Sequence, residues 1–426
     1  MNITFCINTA RNELNHIKLL FKSLKQNLSH KKHEILVFID SDNEGTFEWL
    51  LEQKIDFPNL KILRNNLPIC YGYARNINEM FEQASNSCIS YLQSDMVICK
   101  DYDIEVWEAV EPNTILCSTR IEPPLHTSSG EKHTYDCGLD PTKFDLDKFT
   151  KLAESLKEDK FTEYFFAPFT MHKQVWNDIG GHDTMFRRSR EDTDILTRLV
   201  RSGVQIKQTW RALVYHFTCT SSRGPEWFNK ENKEAQERLQ LQNQADHIEM
   251  CRFQRKWGKF EHTTEPKPYF KIDAHIKGTH PNPDFAIAVM SFFDKIYTIE
   301  SETYQLVDQY FSQAHRIANK ILNISEEDWH RYGYIYNKES VDDFVKMPQE
   351  VDRIISDVLI EFDISKLTQE DGLFLMSMQP MIEEYDEDTY EYGPYKIHIN
   401  KKIDRSSEQI FVHNPSIKKE HLYTIH

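Results

Sequence analysis

Residues 34–45 read EILVFIDSDNEG: an apolar run through Ile39, then Asp40, Ser41, Asp42, Asn43, Glu44 and Gly45. A short apolar run closed by turn formers predicts a buried strand that ends in a polar loop. Working outward, residues 3–7 and 88–92 read as two more strands, and 60–63 as a short extended piece. Helical spacing fills the gaps. Ile17, Leu20, Phe21 and Leu24 mark one face of a helix over 15–26, and further helices are predicted at 47–54 and 73–84. Strands alternating with helices predict an α/β sheet with helices on its faces. Ligands of such sheets gather beyond the carboxyl ends of the strands. Asp40 and Asp42 close one strand, and Ser94-Asp95 follow the run CISYLQ. Acids at strand ends are also ordinary loop residues, and neither pair alone decides between the readings.

The chain has 426 residues, which favours two domains. Its net charge of −16 gives no basic footprint for a nucleic-acid backbone. The opening residues, MNITFCINTARNE, lack the pattern of a secretory leader, and no run of about 18 apolar residues suggests a membrane span. Eight cysteines occur without a CxxC pair. Reduced, buried thiols in a cytoplasmic protein is the expectation.

Farther along, 120–150 reads as a long connection or a lid, and the aromatic stretch EYFFAPFT (163–170) as core or as an acceptor-pocket lining. A helix is predicted at 191–202, extended pieces at 204–210 and 212–217, and a solvated helix or mobile segment within 218–243. A helix at 248–260 closes the first domain. The second begins near 265, with an extended start, helical patterns at 283–296 and 303–322, and the strand-like YKIHIN at 395–400.

Several pieces then fall in order: NTARNELNHIKLLFKSL (8–24), VFIDSDNEGT (37–46), GYARNINEMFEQA (72–84), YLQSDMVI (91–98), and IGGHDTMF (179–186) followed by SREDTDILTRLVRSG (189–203). In this order they resemble the family 2 glycosyltransferases of the GT-A fold. The resemblance implies an α/β, Rossmann-type nucleotide-sugar-binding domain over 1–262, with a donor half (about 1–100) and an acceptor half (101–262). Residues 263–426 would form a smaller α+β domain, open to acceptor recognition or homo-oligomerisation.

The same resemblance implies roles. Thr9, Glu13, Asp40, Asp42, Arg75, Gln93 and Ser94 would hold the donor, expected to be UDP-linked. Asp95 would bind a divalent cation with His216, and an imidazole ligand favours Mn2+ over Mg2+. Gln93 stands where the family's Asp-x-Asp motif has its first acid, which implies weaker metal binding. Asp192 would be the base that takes the acceptor proton, with Glu191 beside it. Gly181, His182, Asp183 and Trp176 are the acceptor-side candidates, for a glycan or another hydroxyl-bearing molecule; His182 and Asp183 read equally as surface residues and Trp176 as core, and a nucleic-acid acceptor is disfavoured by the charge. Read without the resemblance, His216 is a hydrogen-bonded strand-end histidine, and 191–194 is an acidic helix start favoured by the helix dipole. Asp194 can brace its own helix through Arg198 at i+4. The competing functions are an inactive carbohydrate-binding or scaffold protein and a nucleotidyltransferase. No P-loop and no GxGxxG occur.

Overall fold

Alternating apolar runs and amphipathic helices build a central sheet in the computed structural model, which describes residues 2–128, 130–186, 189–218, 226–257, 268–306, 325, 327–328, 331, 345–346, 355–405, 412 and 422–425. The first region runs β1 (Ile3–Ala10), α1 (Leu14–Asn27), β2 (Glu34–Asp40), α2 (Thr46–Gln53), β3 (Leu60–Asn65), α3 (Tyr73–Gln83), β4 (Cys88–Gln93), β5 (Met96–Ile98), α4 (Tyr102–Ala109), β6 (Thr114–Glu122), β7 (His133–Thr134), α5 (Leu146–Leu156), β8 (Phe161–Thr162), β9 (Phe169–His172), α6 (Lys173–Asp178), α7 (Glu191–Arg201), β10 (Gln205–His216) and α8 (Lys233–Trp257). The second runs β11 (Ile272–Lys277), α9 (Pro283–Met290), β12 (Lys295–Tyr297), β13 (Val345–Lys346), β14 (Val358–Asp363), α10 (Gln369–Phe374), α11 (Met378–Glu384), β15 (Thr389–Tyr392), β16 (Tyr395–Ile399) and β17 (Leu422–Ile425).

The first sheet has the order β17-β3-β2-β1-β4-β9-β6-β10-β5, with β7 on β6 and β8 on β10. Strands β1 to β4 pair in parallel, and their register sets the site. Ala10 lies opposite Asp40, and Asn8 opposite Gln93, so the carboxyl ends of β1, β2 and β4 open side by side. These strands are buried on both faces, which accounts for their nearly continuous apolar runs. Helix α1 buries Ile17, Leu20, Phe21 and Leu24, the spacing of one helical face. Each such side chain contributes about 1.5–3 kcal/mol by leaving water.

The two extended pieces expected at 204–210 and 212–217 are one strand. Strand β10 pairs with β6 on both sides of a break, from Gln205 to Thr209 and again from Leu213 to Tyr215, and the register shifts between Thr209 and Leu213. A bulge there re-aims the far end of the strand, where His216 sits. The connection at 120–150 doubles back as β7 and then forms α5. The polar stretch after 232 is helical, as the start of α8. Residues 219–225, with Arg223 and Gly224, lie outside the described residues, as do 258–260 and most of the helix expected at 303–322.

The second sheet has the order β13-β12-β11-β14-β16-β15, parallel from β13 to β14 and antiparallel from there to β15. One face, with Ile272, Ala274, Ile276, Val358, Ile360 and Ile397, packs in a core with α9 and α11. The last strand, β17, pairs antiparallel with β3 and so belongs to the first sheet. No helix among the described residues is long and apolar enough to cross a membrane.

Asp194 holds α7 against α8 from the interior. Its carboxylate accepts from Arg198 Nε at 2.9 Å and from Trp257 Nε1 at 2.9 Å, and it pairs with Lys256 Nζ at 2.8 Å. The brace expected at i+4 is present, and both Asp194 and Arg198 are sealed from solvent. Removing one partner of a buried pair leaves an uncompensated charge. Asp194→Ala is therefore expected to cost about 3–5 kcal/mol in the unfolding transition of the first region, measured in urea; a loss below about 1 kcal/mol, typical of exposed pairs, would contradict this role.

Candidate active site

The donor-side residues gather where the register predicts. Asp40, at the end of β2, accepts from Asn65 Nδ2 at 2.9 Å, Tyr71 N at 2.8 Å, Gly72 N at 2.9 Å and Asn76 Nδ2 at 2.9 Å. It thereby ties the start of α3 to the strand ends. Asp42 accepts from Glu44 N at 3.0 Å and Phe47 N at 2.9 Å, which secures the start of α2. Glu13 accepts from Ala10 N at 3.0 Å and from the hydroxyl of Ser94, linking the ends of β1 and β4. Arg75 is buried in the first turn of α3, its guanidinium 5.9 Å from the centre of the Tyr71 ring. Among the described residues, Thr9 Oγ1 and Gln93 Oε1 are buried without a hydrogen-bond partner. Polar atoms sealed in this way are open to a partner that a ligand could supply.

At the far side of this cleft, β5 and β10 pair so that Met96 lies opposite His216. Asp95 and His216 are both buried, and Asp95 Oδ2 faces His216 Nε2 at 3.6 Å. The other ring nitrogen, Nδ1, lies 2.7 Å from Glu122 Oε1. Glu122 also meets Lys132 Nζ at 2.5 Å and Arg120 Nη1 at 3.3 Å. Burial alone would raise its pKa, but His216, Arg120 and Lys132 together hold the carboxyl well below the usual range. Sequence reasoning does not select Glu122, although it carries a legible signal. It closes the apolar run TILCSTRIE as Asp40 closes its own.

A divalent cation fits between Asp95 and His216. Ligands each about 2 Å from one ion stand roughly 3–3.6 Å apart, and the observed gap is 3.6 Å. Among the described residues no three His, Cys, Asp or Glu side chains gather as a metal cage. Two protein ligands suit an ion whose remaining positions are filled by phosphate oxygens and water.

The acidic start of α7 is the second cluster that the sequence singles out. Asp192 is exposed. Glu191 is half-buried, and its Oε2 is sealed without a partner among the described residues. Tyr164, from the aromatic stretch, remains 42% exposed.

The four expected acceptor-side residues are interior. Gly181 has φ +76°, and a Cβ there would lie 2.5 Å from Asn78 Oδ1. Asn78 accepts from His182 N and donates to His182 O, each at 2.8 Å. The His182 ring lies against Tyr73 and Trp176, and burial pushes its pKa down to about 3. Trp176 packs on Phe81 with ring centres 4.4 Å apart, and Asp183 pairs with Lys256 at 2.5 Å.

With the geometry in place, the chain can be set beside known proteins. Residues 6–191 match the family described as glycosyl transferase family 2. The match spans under half of the 426 residues and takes in Asp40, Arg75, Asp95 and Glu191, but stops short of Asp192 and His216. The expected α/β fold with a central sheet and a second, C-terminal sheet is the fold observed. No curated protein matches the chain. Among solved structures it is similar to GalNAc-T7 with UDP, GalNAc and Mn2+ (11% identity, TM-score 0.40, covering 51% of this chain and 44% of that one). It is also similar to S. aureus TarS (13%, 0.38, 79% and 54%). A third is the mannosyltransferase PcManGT from Pyrobaculum calidifontis in complex with GDP-Man and Mn2+ (10%, 0.39, 78% and 75%). The chain spans about half the length of the first two. With TM-scores under 0.5, these likenesses carry no weight for its activity.

Glu191 gives the start of α7 a pH signature. Burial first, then the charges of Asp192, Glu249 and Asp246, hold its pKa well above the usual carboxyl range. In the unfolded chain the group ionises near pH ~4.3, while the folded protein keeps the proton. The folded state then binds more protons, so stability falls as pH rises from there toward the folded pKa. Glu191→Gln removes this titration. Its melting temperature is expected to gain on the wild type as pH rises above about 5; a difference that stays constant with pH would contradict it.

Proposed function

We propose that residues 1–262 form a catalytic domain that moves a sugar from a nucleotide donor, read as UDP-linked, to an acceptor hydroxyl with inversion. The observation that carries this reading is the buried Asp95–His216 pair, 3.6 Å apart, at the strand ends of a family 2 segment. When bound there, Mn2+ or Mg2+ neutralises the charge that builds on the departing diphosphate.

The remaining work falls to the chain. Asp95 and His216 hold the ion, and Arg75 offers a fixed positive charge to the diphosphate. Thr9, Gln93, Glu13 and Ser94 lie where the nucleoside and sugar would find hydrogen-bond partners. Asp40 and Asp42 act on the donor by shaping the loops around it, since their carboxylates are engaged with backbone N–H groups. Asp192, exposed to an incoming acceptor, takes the hydroxyl proton. The acceptor oxygen bonds to the anomeric carbon from the face opposite the leaving group. The bond from that carbon to the phosphate oxygen breaks, and the nucleoside diphosphate leaves with the electron pair. Glu191 positions Asp192 or the acceptor, and Tyr164 offers an exposed ring to a sugar face. Residues 263–426 serve acceptor recognition or self-association. The buried free thiols of Cys6, Cys70, Cys88, Cys99 and Cys117 support a cytoplasmic setting.

Turnover of a nucleotide-sugar panel by the purified chain, with Mn2+, Mg2+ or EDTA, tests this. Metal-dependent release of nucleoside diphosphate from one donor is expected, and D95A should abolish it. With an acceptor present, D192N should lower kcat by about 10²–10⁴ with little change in donor KM. No binding or release in any arm would favour an inactive carbohydrate-binding protein, and release of pyrophosphate a nucleotidyltransferase.

A further inference from the structure

An imidazole can serve a cation only through a nitrogen that carries no proton, and the partner of the other nitrogen decides which one that is. In this chain that partner is Glu122. It lies at the end of β6, beside β10, where the parallel pairing sets Ile121 opposite Tyr215. The neighbouring positions, Glu122 and His216, meet side chain to side chain at 2.7 Å.

Glu122 is itself fixed. Oε1 faces both His216 and Arg120, and Oε2 is held by Lys132. Lys132 arrives because the chain turns back after β6 and pairs His133 with Ile121. The carboxylate is therefore buried, anchored from both sides and able only to accept. We propose that Glu122 is a positioning residue that keeps the proton of His216 on Nδ1 and turns the Nε2 lone pair toward Asp95. This rests on the reading of Asp95 and His216 as cation ligands.

The geometry supports it in a second way. With the proton on Nδ1, a neutral His216 presents a lone pair to an oxygen of Asp95 at 3.6 Å, beyond hydrogen-bond range. A cation placed between these two atoms would be held by both. Lys132 and Arg120 hold Glu122 in place when that cation is absent, so the pair is arranged before the ion arrives. Orienting partners of this kind commonly contribute 10–100-fold, roughly, to metal affinity.

The test uses the full chain with two independent readouts. Mn2+ affinity, without and with UDP, is read from the electron paramagnetic resonance signal of free Mn2+. The His216 tautomer is read from nitrogen-15 shifts of labelled histidine, assigned by comparison with H216Q. In the wild type the proton is expected on Nδ1. E122A should weaken Mn2+ binding about 10–100-fold and release the tautomer. E122Q, whose amide oxygen can still accept from Nδ1, should recover part of the affinity and most of the tautomer.

Wild-type His216 with its proton on Nε2 would overturn the proposal. So would E122A and E122Q variants that bind Mn2+ like the wild type while D95A does not. A wild type that takes up no Mn2+ even with UDP, yet keeps the Nδ1 proton only while Glu122 is present, would sink the metal reading and leave Glu122 as the orienting partner.

Discussion

The contact between Glu122 and His216 is the one on which the site depends. A carboxylate shut away from water must find donors or cations, and Glu122 finds three at once. Its hydrogen bond to His216 links β6 to the end of β10, sets which face of the imidazole is free, and makes sense of Asp95 across the gap. The bulge in β10 serves the same end, because the strand resumes its pairing with β6 beyond it and delivers His216 to the end of the sheet. Asp40 solves the same problem at the opposite wall with four neutral donors. Asp194 solves it in the interior with two cations and an indole N–H. Asp40, Glu122 and Asp194 are thus each buried with their carboxylates engaged, and among the described residues the buried atoms left without a partner include Thr9 Oγ1, Gln93 Oε1 and Glu191 Oε2.

Burial explains why the first region was legible. Strands β1, β2 and β4 are covered on both faces, so each appears as an apolar run with a polar end. Helix α1 shows its buried face through Ile17, Leu20, Phe21 and Leu24. Register does the rest, since parallel strands of this kind must open on one side. Other elements lacked such a sign. The bulge in β10 interrupts its pattern at Trp210 and Arg211, so one strand reads as two. Strand β14, VLIEFD, alternates buried and half-buried residues among polar surroundings. Strand β17 has no local sign that it pairs with β3, because that contact joins residues more than 350 positions apart.

Of the proposed site, the sequence marks the acids more clearly than their surroundings. Asp40 and Asp95 stand at the strand ends that the apolar runs predict, and Glu191 opens the predicted helix. Glu122 carries the same sign, but a lone acid after a strand does not announce its partner. Trp176 and His182 show the converse. Their residue types suit sugar contact, yet both are packed into the interior beside Tyr73 and Phe81, where the Gly181 turn can be formed only without a side chain. Residue type reports what a side chain can do, and packing decides whether it meets solvent.

One divalent cation between Asp95 and His216 is what the proposed chemistry requires. Anomalous diffraction from crystals grown with Mn2+ and UDP would locate it. One manganese peak is expected about 2 Å from both Asp95 Oδ2 and His216 Nε2, with Glu122 still on Nδ1. A peak bound elsewhere, or no peak with the Asp95–His216 gap closed to a direct hydrogen bond, would contradict it.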